Sequence, residues 1–170
     1  MKRLAPGAVA LLLAGWLFAG GCASRAQTQD QQEIRALEDQ FAAAFRAKDV
    51  DAIMKLYLPG NELFVFDLGM PREHVGWDDY KKDWQDFLAT FRGPVHFDIT
   101  GLSVVTDGQI AYSHSIQHVR GTEKNGTAMD YAVRVTDDYR KIDGRWLIAQ
   151  EHVSVPIDLA TGKPVMMAKP

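Results

Sequence analysis

Asp67 closes the apolar run Leu63-Phe64-Val65-Phe66. A carboxylate at the end of such a run is partly held out of water and is a candidate general base. Its plainer role is a turn acceptor ahead of Gly69. Three histidines, His114, His118 and His152, fall in β-rich stretches where neighbouring strands can bring them together. Converging imidazoles would suggest a metal. Histidine pairs two residues apart on a strand more commonly serve as satisfied polar positions, so neither a metal nor another cofactor is expected. Arg134 and Thr136 share one face of a strand and Asp137 takes the other. An inward guanidinium needs a carboxylate or an anionic ligand, because an unpaired buried charge is costly. On a regular strand Arg134 or Asp137 points inward, not both.

These side chains need elements to position them. Asp107-Gly108, Asn125-Gly126 and Asp143-Gly144 each separate runs rich in Val, Ile, Thr, Tyr and Ser. Such pairs are strong hairpin signals, read here as turns with positive φ at both positions. They predict four antiparallel strands, over 95–106, 109–124, 127–142 and 145–156. The second presents Tyr112, His114, Ile116 and His118 on one face. The fourth presents Trp146, Ile148, Gln150, His152 and Ser154, with Glu151 pointing the other way. Ahead of the strands, Ile34, Leu37, Phe41, Ala44 and Phe45 recur at helical spacing and predict a helix ending near Lys48-Asp49. A short second helix carries Ile53, Met54, Leu56 and Tyr57, and Pro59-Gly60 stops it. A third, over 77–91, aligns Tyr80, Trp84, Phe87, Leu88 and Phe91. That stripe is lid and core, with Trp84 the member placed to touch a ligand.

Met1, Lys2 and Arg3, the apolar run 8–19 and the small residues up to the lone Cys22 form a secretory signal layout. Its removal at residue 21 takes away Lys2 and Arg3 and no acid, leaving 17 basic against 22 acidic residues. That balance argues against nucleic acid as a partner. Residues 22–33 are polar without periodicity and read as a flexible tether, 34–158 as one domain, and 159–170 as a tail. A single cysteine permits no disulfide within the chain.

The order helix, helix, short strand, helix and four long strands resembles the NTF2-like cone fold, an α+β architecture of three helices on a strongly curved antiparallel sheet. The segments Arg134-Val135-Thr136-Asp137-Asp138-Tyr139-Arg140-Lys141, Asp143-Gly144-Arg145-Trp146 and Glu151-His152-Val153-Ser154 resemble its SnoaL-like, ketosteroid isomerase-related branch, as does the 44–53 stretch. The resemblance covers most of 34–158. It implies a cone-shaped pocket lined by the Arg134/Thr136 and His152/Ser154 pairs, with His114 and His118 nearby. It also places Asp67 where the isomerases carry their proton-abstracting aspartate, and Phe41 where their tyrosine donor would stand. Thr136 replaces the second acid of the Arg-x-Asp pair used by the epoxide hydrolases of the superfamily. The small residues before Cys22 resemble a lipobox, with Ala19 where leucine is usual, which implies acylation of Cys22 and a cell-envelope location.

Two function classes follow. One is an exported, membrane-anchored protein whose cone holds a small apolar or amphipathic molecule, its polar or anionic head met by Arg134 and His152. The other is an acid/base enzyme, an isomerase, cyclase or dehydratase, with Asp67 as base and His152 or His118 as donor. Exposed Val and Tyr on the sheet are compatible with a homodimer in either case.

Overall fold

The computed structural model describes residues 19–166, with side chains from residue 25 onward. The expected signal segment lies outside these residues up to position 18, as does the Cys22 side chain. Among the described residues no helix is long and apolar enough to cross a membrane.

Three helices precede the four long strands. α1 (Ala19–Ala47) buries Ile34, Leu37, Phe41, Ala44 and Phe45, the positions that its periodicity selects. α2 (Val50–Met54) starts at Asp49, whose side chain accepts from the Ala52 backbone N–H at 2.9 Å and so satisfies one of the unpaired donors of the first turn. α3 (Trp77–Ala89) begins after Gly76, which has no capping side chain, and carries Asp78 and Asp79 against the positive end of its dipole. Between α2 and α3 lie β1 (Phe64–Phe66) and β2 (His74–Val75), the latter inside a stretch that the sequence presents as loop.

Four long strands follow: β3 (Phe91–Thr106), β4 (Ile110–Glu123), β5 (Ala128–Ile142) and β6 (Arg145–Ser154). The sheet order is β2-β1-β6-β5-β4-β3, with β1 parallel to β6. Register breaks in β3 between Arg92 and His96 and between Thr100 and Ser103 coincide with Gly93 and Gly101 at positive φ. Such breaks bend a strand and increase its twist, so a sheet of this length curls around the helices instead of lying flat. Of the three turn pairs, only Asp143-Gly144 has positive φ at both residues, at 49° and 77°. At the other two, positive φ is confined to the glycine, because those loops are longer than two residues.

The core sits between the concave sheet face and the helices. Phe45 stacks on Phe97 of β3 at 4.1 Å, and Phe41 meets Trp84 of α3 edge-on at 5.6 Å. These rings are large buried surfaces in non-coplanar contact, the preferred aromatic geometry except for the one stacked pair.

Two expected boundaries shift. Residues 22–33 are helical, not a loose tether, and Asp30 is buried where it accepts from Trp146 Nε1 at 3.2 Å and pairs with Lys141. Lack of apolar periodicity misleads here because this part of the helix docks through polar contacts, including Gln31 onto the Val104 carbonyl. The tail forms a small hairpin, β7 (Ile157–Asp158) with β8 (Lys163–Pro164), and the Met166 carbonyl then accepts from the Ala132 N–H of β5 at 2.9 Å.

Candidate functional site

A cavity of about 430 Å³ opens between α1, α3, the 67–70 loop and the concave face of the sheet. Its wall is largely aromatic and aliphatic, with Phe41 and Phe45 from α1, Tyr80, Trp84 and Phe87 from α3, and Phe97, Val119, Tyr131, Val133 and Val153 from the strands. The charged or chargeable groups in it are Asp67, His74, Asp83, Asp86 and Glu151, and neither lysine nor arginine is among the lining residues.

Glu151 is the centre of the polar wall. It is 4 % exposed, and its carboxyl accepts from Tyr57 Oη at 2.6 Å and from Tyr80 Oη at 2.7 Å. Tyr80 Oη also lies 3.3 Å from Asp67 Oδ2, so one phenol joins the loop carboxylate to the buried one. Burial pushes the Glu151 pKa up to about 7 against the opposing pull of the two phenols. Burial likewise raises both tyrosines, which keeps them as donors.

Away from the cavity the network continues. Asp137, 1 % exposed, stands opposite Glu151 in the β5–β6 register, and its pKa is raised first by burial and then by the charges of Glu38 and Glu151. Glu38 on α1 accepts from Tyr139 Oη at 2.6 Å, and Ser113 meets the same hydroxyl at 2.9 Å. Burial pushes Glu38 up to about 7, partly offset by that phenol. Three carboxyls without a cation cannot all ionise at low cost in such a place. Burial and the neighbouring carboxyls hold Asp137, like Glu38 and Glu151, above its ordinary range.

His74 supplies a second polar corner. It is buried, its Nδ1 lies 3.0 Å from Asp79 Oδ2, and its Nε2 lies 3.8 Å from Asp83 Oδ1. Asp83 is raised by desolvation and then by the charge of Asp67. Among the described residues no group of three or more His, Cys, Asp and Glu side chains is arranged to hold a metal ion.

Of the site residues expected from the sequence, Asp67 and Trp84 line the cavity. The others do not. Arg134, Thr136, His114 and His152 are exposed on the opposite face of the sheet, where Arg134 stands in register with Ile116 and Ser154 and Thr136 with His114 and His152. His118 pairs there with Asp130 at 2.6 Å, and Ser154 is half-buried outside the cavity. The cause is local. Asp138 pairs with Gln150 but Tyr139 pairs with Ile148, which leaves Ala149 as an extra residue in β6. One extra residue reverses the alternation beyond it. Trp146 and Ile148 therefore face inward with Glu151, while Gln150 and His152 face out. On β5 the inward row is Val133, Val135, Asp137 and Tyr139, which settles the choice between Arg134 and Asp137 in favour of the aspartate.

Sequence reasoning missed Glu38, Glu151 and His74. Glu38 had a signal, since it lies four residues after Ile34 and three before Phe41 on the buried face of α1. Glu151 had none that simple alternation reads correctly. The absent tyrosine at Phe41 also has a counterpart, because Tyr57 and Tyr80 bring phenols to the same region from other elements.

The geometry has relatives. An NTF2-like protein of unknown function from Pseudomonas putida superposes with a TM-score of 0.75 at 26 % identity, over 84 % of this chain and 98 % of that one. A nuclear transport factor 2-like superfamily protein from Salmonella enterica gives a TM-score of 0.71 at 15 % identity, over 81 % and 99 % of the two chains. A ketosteroid isomerase-like protein from Erwinia carotovora gives 0.62 at 22 % identity, over 72 % and 93 %. No curated protein sequence matches the chain. The profile of the SnoaL-like domain matches residues 34–158, from Ile34 of α1 to the end of β7. On this match and this architecture, the chain belongs to the SnoaL-like domain family, built on the NTF2-like fold.

Proposed function

We propose that this protein is a small-molecule binding domain held at the cell envelope by a lipid on Cys22. Its ligand is a mostly apolar, ring-bearing molecule whose polar group faces Asp67 and Glu151. The observation that carries this reading is the cavity itself. About 430 Å³ walled by aromatic rings, with a few convergent polar groups on one side, has the size and composition of a small-molecule site. Export and lipidation rest on the signal layout before Cys22.

Thermal-shift measurements against sterols, polyketide-like aromatics and other compact ring compounds test the binding, with Val133→Phe as the control that fills the cavity. A compound that raises the midpoint of the wild type and not of the variant supports the reading. No shift across the panel removes it. Fractionation tests the anchor: Cys22→Ser is expected to move the protein from the membrane to the soluble fraction, and unchanged partition eliminates lipidation at that residue.

A second reading, acid/base catalysis, draws on the Asp67–Tyr80–Glu151 chain and on Glu151 near neutrality. Asp67 is then the base. Against it, the Tyr80 hydroxyl is already committed to Glu151 at 2.7 Å, so charge developing on a substrate oxygen competes with a carboxylate for that proton. Asp67→Asn is expected to abolish turnover with binding retained if this reading holds.

A further inference from the structure

We infer that the cavity selects a cationic ligand: a ring-bearing amine that also carries an oxygen acceptor. This deepens the binding reading and rests on it. Asp67, Asp83 and Glu151 stand in one wall, and among the described residues neither Asp67 nor Glu151 has a cationic partner. Their neighbours are phenols, Tyr80 between Asp67 and Glu151 and Tyr57 behind Glu151. Among the described residues the ion-pair contact of Asp83 is with His74, at 3.8 Å, and that imidazole is already engaged by Asp79 at 3.0 Å. Asp67, Asp83 and Glu151 disfavour one another's ionisation in this apolar enclosure, and an ammonium placed among them offsets that while gaining charge-assisted hydrogen bonds; the fourth lining acid, Asp86, is paired with Lys82.

Two further observations point to the same ligand. Aromatic faces surround the acids, and an ammonium over a ring is attracted by its quadrupole. Trp84, 7 % exposed and part of the cavity wall, has a buried indole N–H with no hydrogen-bond partner among the described residues. An indole N–H only donates, so it calls for an acceptor on the bound molecule. Arg134, the group that would have attracted an anion, is on the far face of the sheet. An anionic ligand is thereby disfavoured.

Isothermal titration with three probes on one ring system tests the inference: methoxynaphthylmethylamine, the corresponding alcohol and the corresponding carboxylic acid. The amine is expected to bind about tenfold or more tightly than the alcohol, with the acid weakest. Asp67→Asn is expected to cost the amine most of its preference over the alcohol. Equal affinity for amine and alcohol overturns the charge selection and leaves the apolar-binding reading intact, as does tightest binding of the acid. Binding by none of the three overturns both. Asp83→Asn serves as a second variant should Asp67→Asn fold poorly, with the same expected loss of amine preference.

Discussion

The two faces of one sheet carry similar residue types to opposite ends. On the outer face His118 pairs with Asp130 and Arg120 with Asp98, all at least partly in water. On the inner face Asp137, Glu151 and Ser113 are 1 %, 4 % and 0 % exposed, and their neighbours are phenols and one another. Outer charges find opposite charges and solvent. Inner acids find neither, so their protonation states are set by burial. The lesson is that chemistry here follows from which face a residue takes more than from its type, and that one inserted residue decides the face.

The most severe way to break the contrast is to delete Ala149. Without it, either Glu151 turns outward and His152 inward, or Trp146 and Ile148 leave the core. Both alternatives discard several buried side chains. Loss of a cooperative thermal transition by circular dichroism is the expected result; a variant melting within a few degrees of the wild type would show that the extra residue does not set the face.

Next in size is Glu151→Ala. It leaves the hydroxyls of Tyr57 and Tyr80 buried without an acceptor, and each orphaned donor costs about 1–3 kcal/mol. Destabilisation of about 3 kcal/mol in urea unfolding is expected, against about 1 kcal/mol for Glu151→Gln, which keeps an acceptor oxygen. Equal losses in the two variants would show that packing, not the phenol contacts, makes this position matter.

A gentler test titrates the inner acids without removing them. Glu38 and Glu151 rise from the ordinary 4.5 to about 7, so in the folded state they hold protons that the unfolded chain releases. Their contribution is fully present below about 4.5 and is lost as pH rises through about 7. Exposed acids off the sheet run the other way: Asp51 on α2 and Asp107 in the β3–β4 turn are lowered by Lys81 and by backbone N–H groups respectively, and their contribution is lost only as pH falls below the ordinary aspartate range. Stability is therefore expected to decline between pH 5 and about 8, and Glu151→Gln, which mimics the protonated acid, is expected to flatten that decline. A flat wild-type profile would mean that the inner acids are not held protonated.

Much of the scaffold was readable because its signals are local. The turn pairs and the aromatic spacing of α1 and α3 each act within a few residues, and the four long strands, α3 and the end of α1 fall close to where they point, whereas α1 starts well before Ile34 and α2 ends at Met54, ahead of Leu56, Tyr57 and the Pro59-Gly60 stop. The site was only half readable. Asp67 and Trp84 emerge from the end of an apolar run and from a helical stripe, both local patterns. Glu151 and His152 exchange places because a bulge is a property of two strands, visible only when β5 and β6 are paired. The inward choice of Asp137 was latent in the Val133, Val135, Tyr139 alternation. It lost to a resemblance that drew Arg134 inward, although a guanidinium there would have lacked the solvent that it keeps on the outer face.

The smallest expected effect sharpens the comparison from the other side. Arg134→Ala and His118→Ala remove outer-face groups that solvent already screens, and exposed ion pairs such as His118–Asp130 contribute little. Each is expected to change unfolding free energy by no more than about 0.5 kcal/mol and to leave ligand stabilisation unchanged, as read by urea unfolding and thermal shift. A loss of ligand response in Arg134→Ala would be the more informative surprise. Arg134 is separated from the cavity by the sheet itself, so such a loss would require the ligand to lie on the outer face, and the acid-lined cavity would then lose its claim to be the site.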